Sequence, residues 1–171
     1  MIEGELMFSL KPKTDNAICE SGCCTPQPKG KVTCPKCHEK SKGVLAKTVE
    51  HLLTHEAKEK CDSFDDFYYC RTPSCEVVYF KEGEILTQND MSVTVGLKEG
   101  AIPATLCYCF EWTKEKIIEE LKATGTTNAL EDIKAKMENP GCSCEILNPS
   151  GGCCLGDVGK VIKELKKEML N

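Results

Sequence analysis

The sequence predicts an α+β chain of two small cysteine-rich units, a β/α unit followed by a helical unit. Three observations support this prediction. There are 14 cysteines in 171 residues, β-branched and aromatic residues flank one group of them, and apolar residues recur at helical spacing towards the C-terminus. Because small units have thin cores, each is expected to need a staple.

The cysteines are expected to bind metals. The N-terminal residues contain early acids and no apolar signal-peptide core, and no apolar run approaches the ~18 residues of a membrane span. We therefore expect a cytoplasmic protein without a membrane span, where paired cysteines are typical metal ligands. Disulfides in a secreted protein or in an intracellular hyperthermophile protein are the alternatives.

The charge pattern argues against nucleic acid as the main partner. The formal net charge is −5, and no cluster of Lys and Arg is free of acids. The sequence also lacks a P-loop, a Rossmann glycine pattern and a nucleophile elbow, so a hydrolase or nucleophilic enzyme is not expected.

The chain divides into an arm and two compact units. Residues 1–31 are polar, contain Pro and Gly and show no apolar period, which predicts a flexible arm. The first unit covers 32–98, a linker covers 99–106, and the second unit covers 106–171. The arm contains three cysteines of its own, Cys19, Cys23 and Cys24.

The first unit is predicted to contain a helix and a hairpin. Apolar residues between Val44 and Leu53 favour a helix, and the aromatic and β-branched runs 67–70 and 75–80 favour strands. Residues 81–84, Lys-Glu-Gly-Glu, predict a tight turn into a further strand.

The second unit is predicted to be helical. Thr113 is a suitable N-cap for a helix that ends near Gly125. Another helix is predicted over 127–137 and is stopped by Asn-Pro-Gly. A loop rich in Cys, Gly and Pro follows, and a last helix is predicted over about 157–170.

Two cysteine pairs in the first unit have the spacing of a structural zinc site. Two residues separate the first pair and four separate the second. Zinc binds four such thiolates in a tetrahedron, and a closed four-cysteine site leaves no position for water or substrate. The predicted zinc ligands are Cys34, Cys37, Cys70 and Cys75.

Several alternatives to this ligand set exist. The first pair could be a redox dithiol, although no thioredoxin-like pattern surrounds it. Cys61 or His38 could replace one ligand. His51 and His55 could share a face of the predicted helix, but without a third ligand they are expected to be ordinary helix residues.

The second unit contains six cysteines, too many for a small apolar core to explain. Four thiolates, two on each iron, hold a [2Fe–2S] cluster, and nearby glycines let backbone N–H groups reach the sulfurs. The spacing alone leaves a second zinc as the alternative. The predicted helix near Gly156 would direct the positive end of its dipole at an anionic cluster.

The motifs of both units resemble a known family. The segments Cys-Tyr-Cys at 107–109 and Asn-Pro-Ser-Gly-Gly-Cys-Cys-Leu-Gly-Asp-Val at 148–158 resemble the [2Fe–2S] domain of the bacterioferritin-associated ferredoxin family. Together with the segments at 34–37, 67–80 and 95–99, they resemble the amino-terminal zinc/[2Fe–2S] module of the CopZ family of copper chaperones.

This resemblance implies the ligands residue by residue. It implies zinc at the four cysteines named above. It implies the cluster at Cys107, Cys109, Cys144 and Cys154. Cys144 is preferred to Cys142 because it stands where the Asn-Pro-Ser-Gly-Gly motif expects its partner, and Cys154 is preferred to Cys153 on resemblance alone.

The resemblance also implies copper handling. Such a protein would bind copper, reduce Cu(II) to Cu(I) and pass it to a copper-transport ATPase or copper carrier. Reduction of copper is at most the enzyme activity that we expect of the chain. The sequence has no Met-x-Cys-x-x-Cys copper loop. Because thiolates suit Cu⁺, the three arm cysteines are its candidate site.

Two other functions remain open at this stage. The chain could be a ferredoxin-like electron carrier that serves a redox partner protein without any copper role. It could also be a cluster-based redox sensor or interaction module, in which Cys142 and Cys153 make the cluster exchangeable.

Overall fold

The computed structural model describes residues 30–169, which combine antiparallel sheets with α-helices. The mixed sheet-and-helix class predicted from the sequence is confirmed. Most of the predicted arm, including its three cysteines, lies outside the described residues. Lys31, the last residue assigned to the arm, begins the first strand.

The first part of the structure is a five-stranded sheet in the order of the sequence, with all neighbours antiparallel. Its strands are β1 (Lys31–Thr33), β2 (Lys40–Gly43), β3 (Tyr68–Tyr69), β4 (Val77–Lys81) and β5 (Glu84–Thr87). The predicted hairpin is confirmed, since Lys81 pairs with Glu84 and Gly83 takes the left-handed φ of 77° between them. Strands β1 and β2 were not predicted because they are short and polar.

Two short helices cover one face of this sheet, α1 (Ala46–Leu52) and α2 (His55–Lys60). The backbone is extended at Leu53 and Thr54, and the Thr54 side chain caps α2 by accepting a hydrogen bond from the Ala57 amide. The prediction that His51 and His55 share one helix is therefore wrong. A 3₁₀ turn, Gln88–Asp90, follows the sheet.

The apolar core of this part lies between the helices and the sheet. Its largest fully buried side chains are Tyr79 and Phe67, whose rings meet edge to face with centroids 6.5 Å apart. Tyr69 packs on the other side of Tyr79, with ring centroids 5.9 Å apart. The aromatic residues that favour strands in the sequence therefore also build the core.

The second part of the structure is a hairpin followed by helices. Its elements are β6 (Thr105–Cys107), β7 (Trp112–Thr113), α3 (Lys114–Thr124), α4 (Ala129–Glu138), α5 (Cys144–Leu147) and α6 (Leu155–Met169). Thr113 caps α3 and Gly125 ends it with a φ of 74°, as predicted. Helix α5 lies within the predicted loop, and α6 begins two residues earlier than predicted.

Helices α3, α4 and α6 enclose a second apolar core. Ile117, Ile133 and Val158 are fully buried there. The Trp112 indole N–H donates to an Asp132 carboxylate oxygen at 2.7 Å, which fixes the hairpin against α4. Within residues 30–169, no helix has the length and apolar character that crossing a membrane requires.

The segment before the predicted linker packs closely against β6. The Tyr108 hydroxyl accepts a hydrogen bond from the Gly96 amide and donates one to the Thr94 carbonyl. A Cβ atom on Gly96 would lie 2.0 Å from the Thr105 carbonyl oxygen, so only glycine fits at this position.

We predict that Gly96→Ala destabilises the fold by about 3 kcal/mol, because the backbone of β6 must move to admit the methyl group. The measurement is the free energy of unfolding in denaturant. Gly159→Ala is the matched control, since a Cβ on Gly159 meets nothing within 4 Å inside α6. That variant should gain up to about 1 kcal/mol, and equal losses in both variants would contradict the account.

Candidate metal centres

Two cysteine loops meet at one end of the five-stranded sheet. The first cysteine loop, residues 34–39, joins β1 to β2, and the second, residues 70–76, joins β3 to β4. In an antiparallel sheet with the order β1-β2-β3-β4, alternate hairpin loops emerge at the same end. The strand order therefore brings two cysteine pairs together that lie more than thirty residues apart in the sequence.

Backbone hydrogen bonds give each loop its turn. In the first loop the Cys34 amide donates to the Glu39 carbonyl at 2.9 Å, and His38 takes a left-handed φ of 62°. In the second loop the Cys70 amide donates to the Val78 carbonyl at 2.9 Å, and the Cys75 amide donates to Thr72 at 3.2 Å. Both loops are thereby held as tight turns on the sheet.

The four sulfurs of these loops converge on one point. The Sγ atoms of the four-sulfur group, Cys34, Cys37, Cys70 and Cys75, all lie within 4.8 Å of one another. A tetrahedral zinc site with Zn–S bonds of about 2.3 Å has sulfurs about 3.8 Å apart, so a small contraction encloses an ion. The four-sulfur group can hold a metal ion such as zinc or copper.

Local hydrogen bonds and burial give these thiols different acidities. Burial raises the pKa of Cys34 and raises that of Cys75 to about 12. Burial also acts on Cys37, but hydrogen bonds from the Thr72 hydroxyl, the Glu39 backbone and the neighbouring thiols lower its pKa to about 6. The surroundings of Cys37 therefore favour its thiolate, the form in which cysteine binds metals.

Lys98 supports the second cysteine loop from outside the sheet. Its ammonium donates to the carbonyl oxygens of Cys70 and Thr72 at 2.8 and 2.9 Å. Burial lowers the pKa of Lys98, whereas the nearby thiols raise it. Sequence reasoning did not assign Lys98 a role, because nothing local connects it to a loop 26 residues away.

The alternative first-unit ligands are not in the four-sulfur group. His38 is exposed. The Cys61 thiol donates to a Glu84 carboxylate oxygen at 2.8 Å, and burial followed by this hydrogen bond raises its pKa to about 11. Cys61 is therefore a protonated structural thiol.

A second cysteine group lies in the helical part: Cys107, Cys109, Cys144 and Cys154. Cys107 ends β6, Cys109 lies in the following turn, Cys144 begins α5, and Cys154 immediately precedes α6. The Cys109 and Cys144 sulfurs are 3.8 Å apart, and the Cys154 thiol hydrogen-bonds to both Cys107 and Cys144. The fold thus links all four thiols in one chain of contacts.

Hydrogen bonds dominate the acidity of this second cysteine group. Those from Cys109 and Cys154 lower the pKa of Cys144 to about 2. The same contacts raise the pKa values of Cys109 and Cys154, and burial adds to both shifts. The Ser143 amide also donates to the Cys109 sulfur at 3.4 Å, so the site supplies a backbone donor to sulfur.

The adjacent cysteines are less enclosed. Cys144 and Cys154 are 4% and 1% exposed. Cys142 is half-buried and hydrogen-bonds to Cys144, whereas Cys153 is exposed at the surface. No disulfide joins cysteines among residues 30–169.

The ligand loop, residues 148–154, is organised by Asn148. This buried side chain donates to the Gly152 carbonyl at 2.9 Å and accepts from the Ser150 amide at 3.0 Å. The backbone carbonyl of Asn148 accepts from the Gly151 amide at 2.7 Å. These bonds fix the distance between α5 and Cys154. They give a structural reason for the Asn-Pro-Ser-Gly-Gly motif, which the sequence alone did not supply.

Comparison with known proteins agrees with this architecture. Residues 31–92 match the family zf_CopZ, a zinc binding domain. The copper chaperone CopZ of Archaeoglobus fulgidus is 35% identical over 121 residues, which are 71% of this chain and 57% of that protein. The X-ray structure of the A. fulgidus CopZ N-terminal domain superposes with a TM-score of 0.65 at 32% identity, covering 76% of this chain and 97% of that domain.

The fold and the first cysteine group therefore define a zinc-binding domain. More particularly, the chain belongs to the family of the CopZ N-terminal domain. It spans less than two thirds of the curated CopZ relative.

We predict that Asn148→Ala destabilises the fold by about 2 kcal/mol, because it leaves the Gly152 carbonyl and the Ser150 amide without their partner. Chemical denaturation of the zinc-loaded chain measures this. Asn89→Ala, at an exposed position, is the control and should change stability by less than about 0.5 kcal/mol. If the two substitutions have the same effect, Asn148 does not organise the ligand loop.

Proposed function

We propose that the chain is a cytoplasmic copper-handling protein that holds one structural Zn²⁺ in the four-sulfur group and one [2Fe–2S] cluster in the second cysteine group. The carrying observation is the likeness to the CopZ N-terminal domain over nearly all of that domain's length. The copper role follows from the named relative, a copper chaperone.

The donor set of the first group favours zinc. All four candidate ligands are cysteine sulfurs, and three of them are buried. Such closed sites hold zinc for structure, because no coordination position stays open for chemistry. Cys34, Cys37, Cys70 and Cys75 are the proposed ligands.

The donor set of the second group fits a binuclear cluster. The four thiols form a contact chain, in which the Cys109 and Cys144 sulfurs lie 3.8 Å apart. Four thiolates suit two irons with two thiolates each, and the Ser143 amide adds a donor to sulfur. The burial of Cys144 and Cys154 supports them over Cys142 and Cys153.

Three features of the chain would support copper handling. A [2Fe–2S] cluster, when bound, supplies one-electron redox chemistry. The half-buried Cys109 lies on the more open side of the group, where a redox partner protein can approach. One electron passed to Cu(II) yields Cu(I), which the thiolates of Cys19, Cys23 and Cys24 suit, for transfer to a copper-transport ATPase or carrier.

We predict that the dithionite-reduced, iron-loaded chain, freed of excess reductant, is reoxidised by Cu(II) at one equivalent per cluster. Absorption under anaerobic conditions measures this, and gel filtration then measures retained Cu(I). The variant in which Cys19, Cys23 and Cys24 are all Ser should reoxidise equally but retain no copper.

An unchanged spectrum of the reduced cluster after addition of Cu(II) would exclude the reductive role. Reoxidation without copper retention by the natural chain would favour a ferredoxin-like electron carrier. Loss of the cluster in air with an intact fold would favour the redox sensor.

We predict that Cys154→Ala loses the iron while Cys153→Ala retains it, because only the first side chain points into the second cysteine group. Both variants should retain zinc, which lies in the other part of the structure. Iron and zinc analysis of anaerobically purified protein tests this, and the reverse result would exchange the two ligand assignments.

A further inference from the structure

We propose that residues of the first part of the structure, the sheet with its loops and helices, position the cluster ligands, with Tyr79 and Arg71 as the main positioning residues, so that zinc and cluster binding stabilise each other. This inference rests on the proposed function. It concerns contacts that join the first part of the structure to the helical part. Neither the four-sulfur group nor the second cysteine group needs these contacts to bring its own sulfurs together.

The first contact joins β4 to the ligand loop. The fully buried Tyr79 hydroxyl donates to the Pro149 carbonyl oxygen at 2.6 Å. Burial raises the pKa of Tyr79 well above its usual range, so the hydroxyl keeps the proton that it donates. Pro149 follows Asn148, whose hydrogen bonds run through the rest of the ligand loop, so this bond sets where the loop lies.

The second contact holds the helix that begins at Cys144. The Thr48 hydroxyl of α1 donates to the Glu145 carbonyl at 2.5 Å, and the Lys47 ammonium lies 2.8 Å from the Glu145 carboxylate. Helix α5 has only four residues, and so short a helix depends on tertiary contacts to keep its place.

The third contact starts beside a zinc ligand. Arg71, the residue after Cys70, forms an ion pair with Asp157 in the first turn of α6. Asp157 lies three residues after Cys154 and is mostly buried, so its carboxylate depends on this partner. One guanidinium therefore connects the second cysteine loop to the start of the helix that carries a cluster ligand.

These contacts couple the two sites. The segments that carry Cys144 and Cys154 are both held in place by the first part of the structure. This is the part whose two cysteine loops a zinc ion would join. Loss of zinc frees the second cysteine loop, and with it Arg71 and the end of β4. Linkage then requires the converse, that a loaded cluster group raises the affinity of the four-sulfur group for zinc.

The first test compares Tyr79→Phe with Tyr69→Phe after iron loading. Tyr69 and Tyr79 are both buried and their rings are in contact, and each substitution removes one hydroxyl group. Only Tyr79→Phe removes the hydrogen bond to the Pro149 carbonyl. We expect both variants to keep zinc and the natural far-ultraviolet spectrum. Tyr79→Phe should lose the cluster to an iron chelator about tenfold faster and show an altered electron paramagnetic resonance spectrum of its reduced form.

The second test measures the zinc affinity of the natural chain, with and without the cluster, by equilibrium competition with a chromophoric chelator. We expect tighter zinc binding by the loaded chain, and a smaller difference in Arg71→Gln. Equal zinc affinities of the loaded and unloaded natural chain would overturn the coupling.

The outcomes separate this inference from the proposed function. If the natural chain holds iron and Tyr79→Phe behaves like Tyr69→Phe, the positioning role is wrong and the metal assignment stands. If the natural chain holds no iron, the cluster assignment fails and the positioning role fails with it.

Discussion

The convergence of four cysteine sulfurs within 4.8 Å at one end of the sheet is the contact on which the rest of the structure depends. The strands that meet there are short, with two to five residues each. A metal at this point would join both hairpins and hold β3 and β4 in place. Those strands supply Tyr79 to the core and the second cysteine loop to the junction with α6.

The negative charge of the thiolates at this end of the sheet needs positive charge nearby. Four thiolates around a divalent ion leave two negative charges in a largely buried place. Lys98 brings an ammonium to the carbonyls of the second cysteine loop, and its half-buried position is consistent with that role. Arg71 adds a second cation next to Cys70, directed at Asp157. The second cysteine loop therefore contains two of the four cysteines and lies beside the cations that offset their charge. Through Arg71 it also forms the ion pair with the helical part.

The two parts of the chain are different in kind but are built to one plan. In each, the cysteines lie in loops or at the ends of strands and helices, and hydrogen bonds hold those segments in place. The turn around Asn148 does for the second cysteine group what the hairpin geometry does for the first. Because the ligand loop rests on Tyr79, the sheet contributes to both.

Features with a local signal could be predicted from the sequence. The cysteine spacing indicated the four-sulfur group, Thr113 and Gly125 marked the ends of α3, and Gly83 marked the hairpin turn. Strands β1 and β2 have no apolar alternation, and their place comes from pairing with β3. The break at Thr54 has a cap but no glycine or proline to announce it.

Long-range contacts had no such signal. The bond from Tyr79 to Pro149 spans 70 residues, and that from Thr48 to Glu145 spans 97. Each is made by an ordinary side chain to a backbone carbonyl, so neither residue type nor spacing indicates it. The resemblance to a known family implied a set of ligands but gave no reason for the residues that support them.

Metal content tests the central claim most directly. Zinc and iron per chain can be counted in protein purified without oxygen, together with the absorption spectrum. The account predicts about one zinc and about two irons per chain. Zinc alone, with no iron after anaerobic reconstitution, would contradict it and leave the second cysteine group as another zinc site or as a set of structural thiols.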